Sequence, residues 1–220
     1  MILAAGRGER LRPLTDTTPK PLIEVGGKPL IVHHLERLAE AGFTDVVINL
    51  GWLGEQIPAA LGDGNRFGLR LHYSSEPPGA LETAGGIVHA MKLLGDAPFL
   101  VIAGDILTDY DFSGLTGTSP KGLAHLVMVD NPSHHQEGDF HLHEGQLKLH
   151  GEPRLTFSGI GLYRPEMFSS LPPGVRPLRP LFEQAINSGQ ITAEHHPGHW
   201  FDIGTRERLQ HLRRHLKDRT

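Results

Sequence analysis

Leu3-Ala4-Ala5-Gly6-Arg7-Gly8-Glu9-Arg10-Leu11-Arg12-Pro13-Leu14-Thr15 opens the chain just after Ile2, and Thr18-Pro19-Lys20-Pro21-Leu22 follows it. The apolar residues 2–5 predict a strand that runs into a glycine loop. Gly6 and Gly8 can take positive φ, which lets backbone N–H groups converge on an anion. Arg7, Arg10, Arg12 and Lys20 add positive charge against the carboxylates of Glu9 and Asp16, a balance that suits a polyphosphate. The stretch is not a Walker loop, because no Gly-Lys-Ser/Thr follows. It is not a dinucleotide fingerprint either, because no third glycine stands at the required spacing. Taken alone, it fits a strand-to-helix turn with solvated arginines as well as it fits an anion site.

The sequence beyond the loop sets the fold class. Residues 30–41 predict a helix with Ile31, Leu35, Leu38 and Ala39 on one face and Gly42 as its stop. Val46-Val47-Ile48 reads as a buried strand, 52–61 as a short helix, and 69–73 as a strand. A helix over 83–94, capped by Thr83, leads to a strand over 99–103 that ends at Gly104-Asp105. This alternation predicts an α/β fold, Rossmann-like, with a mostly parallel (mixed) sheet flanked by helices. Further on come a strand at 123–129, a hairpin of 139–142 and 146–149 around Glu144-Gly145, and a strand at 156–163. A helix over 178–187 carries Pro180 in its first turn, where proline is tolerated. A last strand ends at Phe201-Asp202, and Thr205 then caps a helix bearing Leu209, Leu212 and Leu216. With no repeat or linker, the expectation is a single domain over 1–220. Roughly 1–122 would be its nucleotide-binding half and 123–220 a smaller β-rich acceptor half.

Composition narrows the chemistry. The 220 residues are 38% hydrophobic and 21% charged, which is ordinary for a soluble globular chain. Cysteine is absent, which excludes disulfides, thiolate nucleophiles and cysteine-based zinc sites. A net charge of -4 gives no general pull toward nucleic acid or anionic lipid, so neither is expected as a partner. No stretch approaches the roughly 18 apolar residues of a membrane span, and signal-peptide features are lacking, so the expected location is cytoplasmic. Met1 stands only a few residues before Gly6, which predicts a native start upstream and a more stable extended chain.

The longer string is more specific than the loop. Leu-Ala-Ala-Gly-x-Gly-x-Arg-Leu-x-Pro-Leu-Thr followed by Pro-Lys-Pro-Leu resembles the signature of the sugar-1-phosphate nucleotidylyltransferases. Gly104-Asp105 after a strand and Trp200-Phe201-Asp202-Ile203-Gly204-Thr205 near the end resemble that family's two metal-binding segments. The resemblance implies that Leu3, Ala4, Ala5, Gly6 and Gly8 wrap a nucleoside triphosphate. It implies that Arg10 contacts the phosphates, that Lys20 neutralises the reacting α-phosphate, and that Asp105 and Asp202 hold Mg²⁺. The chemistry agrees. Charge spreads over nonbridging oxygens in phosphoryl transfer, so preplaced cations stabilise the transition state, and Mg²⁺ often keeps only one or two protein carboxylates.

Leu81-Glu82-Thr83-Ala84-Gly85-Gly86 opens the third helix, and the resemblance places Glu82, Gly85 and Gly86 at the nucleobase. Paired glycines there suit a flat ring against the backbone, or equally a tight packing point. The Glu-Lys-Pro motif of longer family members is replaced by Gly151-Glu152-Pro153-Arg154. The compact form, with Gly138-Asp139-Phe140 and Thr156-Phe157-Ser158-Gly159-Ile160, looks like the N-acetylmuramate α-1-phosphate uridylyltransferases of bacterial cell-wall recycling. That implies UTP and a sugar 1-phosphate as substrates, with Gly138, Asp139 and Ser158 as acceptor contacts. A hairpin bulge and a half-buried strand residue are the competing readings of those three. Guanylyl, thymidylyl or cytidylyl transfer to another phosphate acceptor, and a non-catalytic sugar-nucleotide sensor, are the alternative functions.

Other features carry less. Fifteen histidines include His141 and His143 on one strand face and His195, His196 and His199 near Trp200, without the spacing of a metal site. The basic residues 206–219 read as a solvated helix face. Trp52 reads as core or a helix-start contact, Asp16 as a turn residue, and Asp109 and Asp111 as loop residues.

Overall fold

A computed structural model describes residues 1–79 and 81–217. The chain forms two compact units: Met1–Ala80 with Ala103–Thr116 and His199–Thr220, and Leu81–Ile102 with Gly117–Gly198. No helix among the described residues is long and apolar enough to cross a membrane.

The first unit is built on parallel strands. Asp45–Leu50 lies between Ile2–Leu3 and Arg70–Ser75, parallel to both, and all but its first residue are buried. Such near-continuous apolar strands belong to sheets covered on both faces. The helix Leu30–Glu40 buries Leu30, Ile31, His34, Leu35 and Leu38. It ends where Gly42 turns left-handed at φ 87°. The Phe43 and Gly42 N–H groups then donate to the carbonyls of Leu38 and Ala39. This is the Schellman stop that the glycine predicted. An antiparallel ribbon joins Ile106–Thr108 to Trp200–Asp202. The first of these strands is too short to show in the hydrophobic pattern. The last helix, Arg206–Lys217, packs Leu209 and Leu212 into a cluster with Leu11, Ile23, Val25, Leu30 and Ile203. That cluster fixes the glycine loop and the segment after Asp202 on one core.

The second unit is mixed. Arg154–Tyr163 runs antiparallel to both Phe99–Ala103 and Ala124–Val129, and Ile191–His196 lies parallel to Ala124–Val129. The expected hairpin forms from Phe140–His143 and Gln146–Lys148, with Glu144 at φ 49° and Gly145 at φ 74° in its turn. Ile191–His196 escaped the sequence reading because only Ile191 and Ala193 face the core, and polar residues fill the rest. Phe140, Phe157 and Tyr163 pack their rings on Phe182 of the helix Arg179–Asn187. The helix Glu82–Leu94 has no side-chain cap, contrary to the expectation for Thr83. The Arg176 carbonyl accepts from the N–H groups of Ala84 and Gly85 instead.

Candidate active site

In the first unit, backbone contact builds the floor of the loop. Gly104 N–H donates to the Leu3 carbonyl at 2.9 Å, and a Cβ on Gly104 would stand 2.4 Å from that oxygen. Gly51 meets the Ala5 carbonyl in the same way, also at 2.4 Å. The Ala4 N–H donates to Asn49 Oδ1 at 2.7 Å, so Leu3, Ala4 and Ala5 are all fixed at the end of their strand. Gly8 turns left-handed at φ 66°, whereas Gly6 does not. A Cβ on Gly6 would meet nothing within 4 Å, so open space lies above it.

The loop's cations fall into two groups. Arg7 donates to the Thr15 carbonyl at 2.7 Å and to Asp16 at 2.6 Å, and stacks 3.8 Å over the Trp52 ring. Arg12 reaches the same Asp16 oxygen at 2.9 Å. Asp16 is therefore more than a turn residue: the Arg7 hydrogen bond holds its carboxyl below the usual range. Trp52 is 39% exposed and donates to the Thr15 carbonyl, so it braces Arg7 and is not core. Arg10 and Lys20 form the other group: Lys20 meets Asp105, and the Arg10 guanidinium lies beside Gly204, two residues after Asp202.

Lys20 Nζ lies 2.5 Å from Asp105 Oδ2, and the Lys20 side chain packs beside Gly8. Asp202 stands opposite Ile106 in the ribbon, and the Ile203 N–H donates to the Asp105 carbonyl at 2.8 Å. Residues 97 positions apart in sequence are thus placed side by side by two short strands. Arg208 pairs with Asp202. The basic run over 206–219 predicts a solvated face, yet the Arg208 side chain is only 19% exposed. The available signal was its position in the first turn after the Thr205 cap. Below, His34 is 1% exposed and bonded to the Ile106 backbone. Burial pushes its pKa down to about 4, against that hydrogen bond and the nearby Asp105 charge.

A divalent cation fits this donor set. Asp105 and Asp202 supply only hard carboxylate oxygens, and both are part-exposed, at 42% and 23%. Among the described residues no cluster of three or more His, Cys, Asp or Glu forms a metal cage. The remaining ligands would have to be phosphate oxygens and water, which is the habit of Mg²⁺.

The second unit holds the other sequence candidates. Glu82 begins its helix at φ 58°, a left-handed conformation uncommon for a long side chain, and it is exposed. Gly85 and Gly86 are buried. A Cβ on Gly85 would lie 2.3 Å from the Gly174 carbonyl, so helix and loop pack tightly at this glycine. Gly138, at φ 63°, abuts Asn131. Asp139 accepts the Phe157 N–H at 2.9 Å, with His135 and Arg179 at 3.3 and 3.4 Å from its other oxygen. Ser158 is 1% exposed; it donates to the Val127 carbonyl and accepts the Ile160 N–H across the bulge in its strand. Its hydroxyl is engaged within the sheet, which favours the bulge reading of this residue over an acceptor contact.

A strand-borne glycine loop, with Asp105 and Asp202 brought together by a short ribbon, is a site in an α/β fold suited to phosphate groups. The nucleotidyl transferase family model matches residues 1–140, and the chain belongs to that family. It is 52% identical over 218 residues to the N-acetylmuramate α-1-phosphate uridylyltransferase of Neisseria meningitidis serogroup B, covering 96% of this chain and 94% of the relative. It is 34% identical to a mannose-1-phosphate guanyltransferase of Aspergillus fumigatus, covering 93% of this chain but only 60% of that protein. Among solved structures, a Bacillus anthracis protein described as a glucose-1-phosphate thymidylyltransferase, in complex with sucrose, superposes with a TM-score of 0.87 at 25% identity. That match covers 99% of this chain and 94% of the other.

Proposed function

We propose that this protein transfers the uridylyl group of UTP to N-acetylmuramic acid α-1-phosphate, giving the UDP-sugar and pyrophosphate. The observation that carries the reading is the convergence of Gly8, Lys20, Asp105 and Asp202 in one unit. The near-full-length likeness to the Neisseria uridylyltransferase supports the choice of nucleotide and sugar. Because that acceptor is a cell-wall sugar, the reading includes a cytoplasmic role in peptidoglycan recycling.

An oxygen of the acceptor phosphate attacks the α-phosphorus of UTP. The bond from that phosphorus to the bridging oxygen breaks, and pyrophosphate leaves with the electron pair. The attacking oxygen is already anionic, so no general base is needed. Gly6 leaves backbone room for the phosphates, and Gly8 supplies the left-handed turn beside Lys20. Lys20 sits between the loop and Asp105, where it balances charge at the α-phosphate, and Arg10 balances charge on the leaving group. Asp105 and Asp202 are the residues that would hold Mg²⁺, which when bound supplies charge neutralisation across the reacting phosphates. Glu82, Gly85 and Gly86 are assigned to the nucleobase, and Gly138 and Asp139 to the acceptor.

A panel of UTP, GTP, CTP and dTTP against N-acetylmuramate, mannose and glucose 1-phosphates, read by pyrophosphate release, tests the reading. The expected result is turnover fastest with UTP and N-acetylmuramate 1-phosphate. Preference for another pair by tenfold would replace the substrate assignment. UTP binding with no release on any acceptor would leave a sensor.

A further inference from the structure

We infer that Arg208 is a third phosphate-binding cation, which together with Arg10 grips the pyrophosphate end of the triphosphate. The inference rests on the nucleotidyl-transfer reading above. Arg208 lies in the first turn of Arg206–Lys217, where its N–H approaches the Thr205 hydroxyl at 3.4 Å. Its side chain turns back over the preceding segment to Asp202. On the same helix, Arg213 extends along the exposed side to the Glu24 carbonyl.

Gly204 shows what converges there. A Cβ placed on it would stand 2.1 Å from Nη2 of Arg208 and 3.2 Å from Nη2 of Arg10. Gly204 is not among the left-handed glycines, so a side chain there would be limited by the two guanidinium groups, which it would have to push aside. Two guanidinium groups brought to one point repel each other unless an anion lies between them. Asp202 supplies one negative charge, and a divalent cation bound to Asp202 would compete for it. That leaves two guanidinium groups converging on one point, an arrangement suited to a multiply charged anion. Guanidinium forks match phosphate oxygens in two-point contacts. Lys20 is on the Asp105 side, so the arginine pair takes the other end of the polyphosphate, which departs as pyrophosphate.

The test is calorimetric titration of pyrophosphate and, separately, of UMP, each with Mg²⁺, into wild type, Arg208→Gln and Gly204→Ala. UMP lacks the phosphates assigned to the pair. Arg208→Gln should weaken pyrophosphate binding by about tenfold to a hundredfold, as expected for a lost charge-assisted contact, and leave UMP within about twofold. Gly204→Ala keeps both arginines but displaces them, so the same selective loss is expected even if Arg208→Gln fails to fold. Wild-type pyrophosphate affinity in either folded variant would overturn the assignment. Equal weakening of UMP and pyrophosphate would also overturn it, reducing Arg208 to an anchor for Asp202. Wild-type protein that releases no pyrophosphate from UTP would contradict the uridylyl-transfer reading itself.

Discussion

The two units use their polar residues differently. In the first, the candidate side chains pair with one another: Lys20 with Asp105, Arg208 with Asp202, and Arg7 and Arg12 with Asp16. Lys20 and Arg208 each already have a carboxylate, and the loop stands on backbone-to-backbone contact. In the second, the candidates bond mainly to the main chain, although Asp139 also meets Arg179 and His135. Ser158 closes a bulge, Asp139 receives a backbone N–H, and Gly85 admits the Gly174 carbonyl. Charge paired with charge is available for exchange with a charged ligand. A side chain bonded to its own backbone is less available. The paired charges of the first unit are therefore the groups best suited to exchange with a polyphosphate.

Variants in the first unit should separate its two groups of cations most sharply. Lys20→Ala is expected to lower kcat/KM by about a hundredfold to a thousandfold, as when a preorganised charge contact is lost. Arg7→Ala, which removes a brace held by Asp16 and Trp52, should cost about tenfold or less. Comparable losses from both, measured by pyrophosphate release, would erase the distinction.

His34 predicts a pH effect beneath the same site. Its folded pKa of about 4 lies below the ordinary histidine value near 6.5. The unfolded chain takes up a proton there first. Its contribution to stability is thus intact above about pH 6.5 and falls as pH drops toward 4, by up to about 3 kcal/mol. His34→Asn cannot charge, so urea unfolding at pH 7 and pH 4.5 should show a smaller acid-side loss in that variant. Identical losses would place the titrating group elsewhere.

A matched pair of glycine substitutions contrasts the units directly. Gly85→Ala drives a Cβ against a carbonyl and should cost about 1–3 kcal/mol of stability. Gly6→Ala meets open space and should change stability by less than about 1 kcal/mol, while weakening UTP binding. Chemical denaturation alongside UTP titration checks both, and a reversed pattern would mean that the loop glycine is there for packing. The smallest effect belongs to Ser158→Ala, which should lose about 1 kcal/mol of stability with the acceptor KM unchanged. A raised KM at unchanged stability would return Ser158 to the acceptor site.

Much of the first unit was legible because its motifs bind through short stretches. The string from Leu3 to Thr15 is contiguous, Gly104-Asp105 ends a strand, and Thr205 caps the helix after Asp202. What the sequence hid was pairing across long separations. The ribbon that aligns Asp202 with Ile106 has only three residues on each side, too few to show a period. Arg208 was hidden among other basic residues on its helix. In the second unit, glycine and serine look the same in sequence whether they touch a ligand or fill a bulge. The contact at Gly174 and the hydroxyl bonds of Ser158 show packing that no sequence pattern reveals.

The central claim is that Asp105 and Asp202 act together in nucleotidyl transfer. It is tested most directly by pyrophosphate release from UTP and N-acetylmuramic acid α-1-phosphate by Asp105→Ala and Asp202→Ala, each with its thermal unfolding midpoint measured. The account predicts that turnover falls by about a thousandfold or more in both variants while cooperative unfolding persists. Full turnover in either folded variant would contradict it.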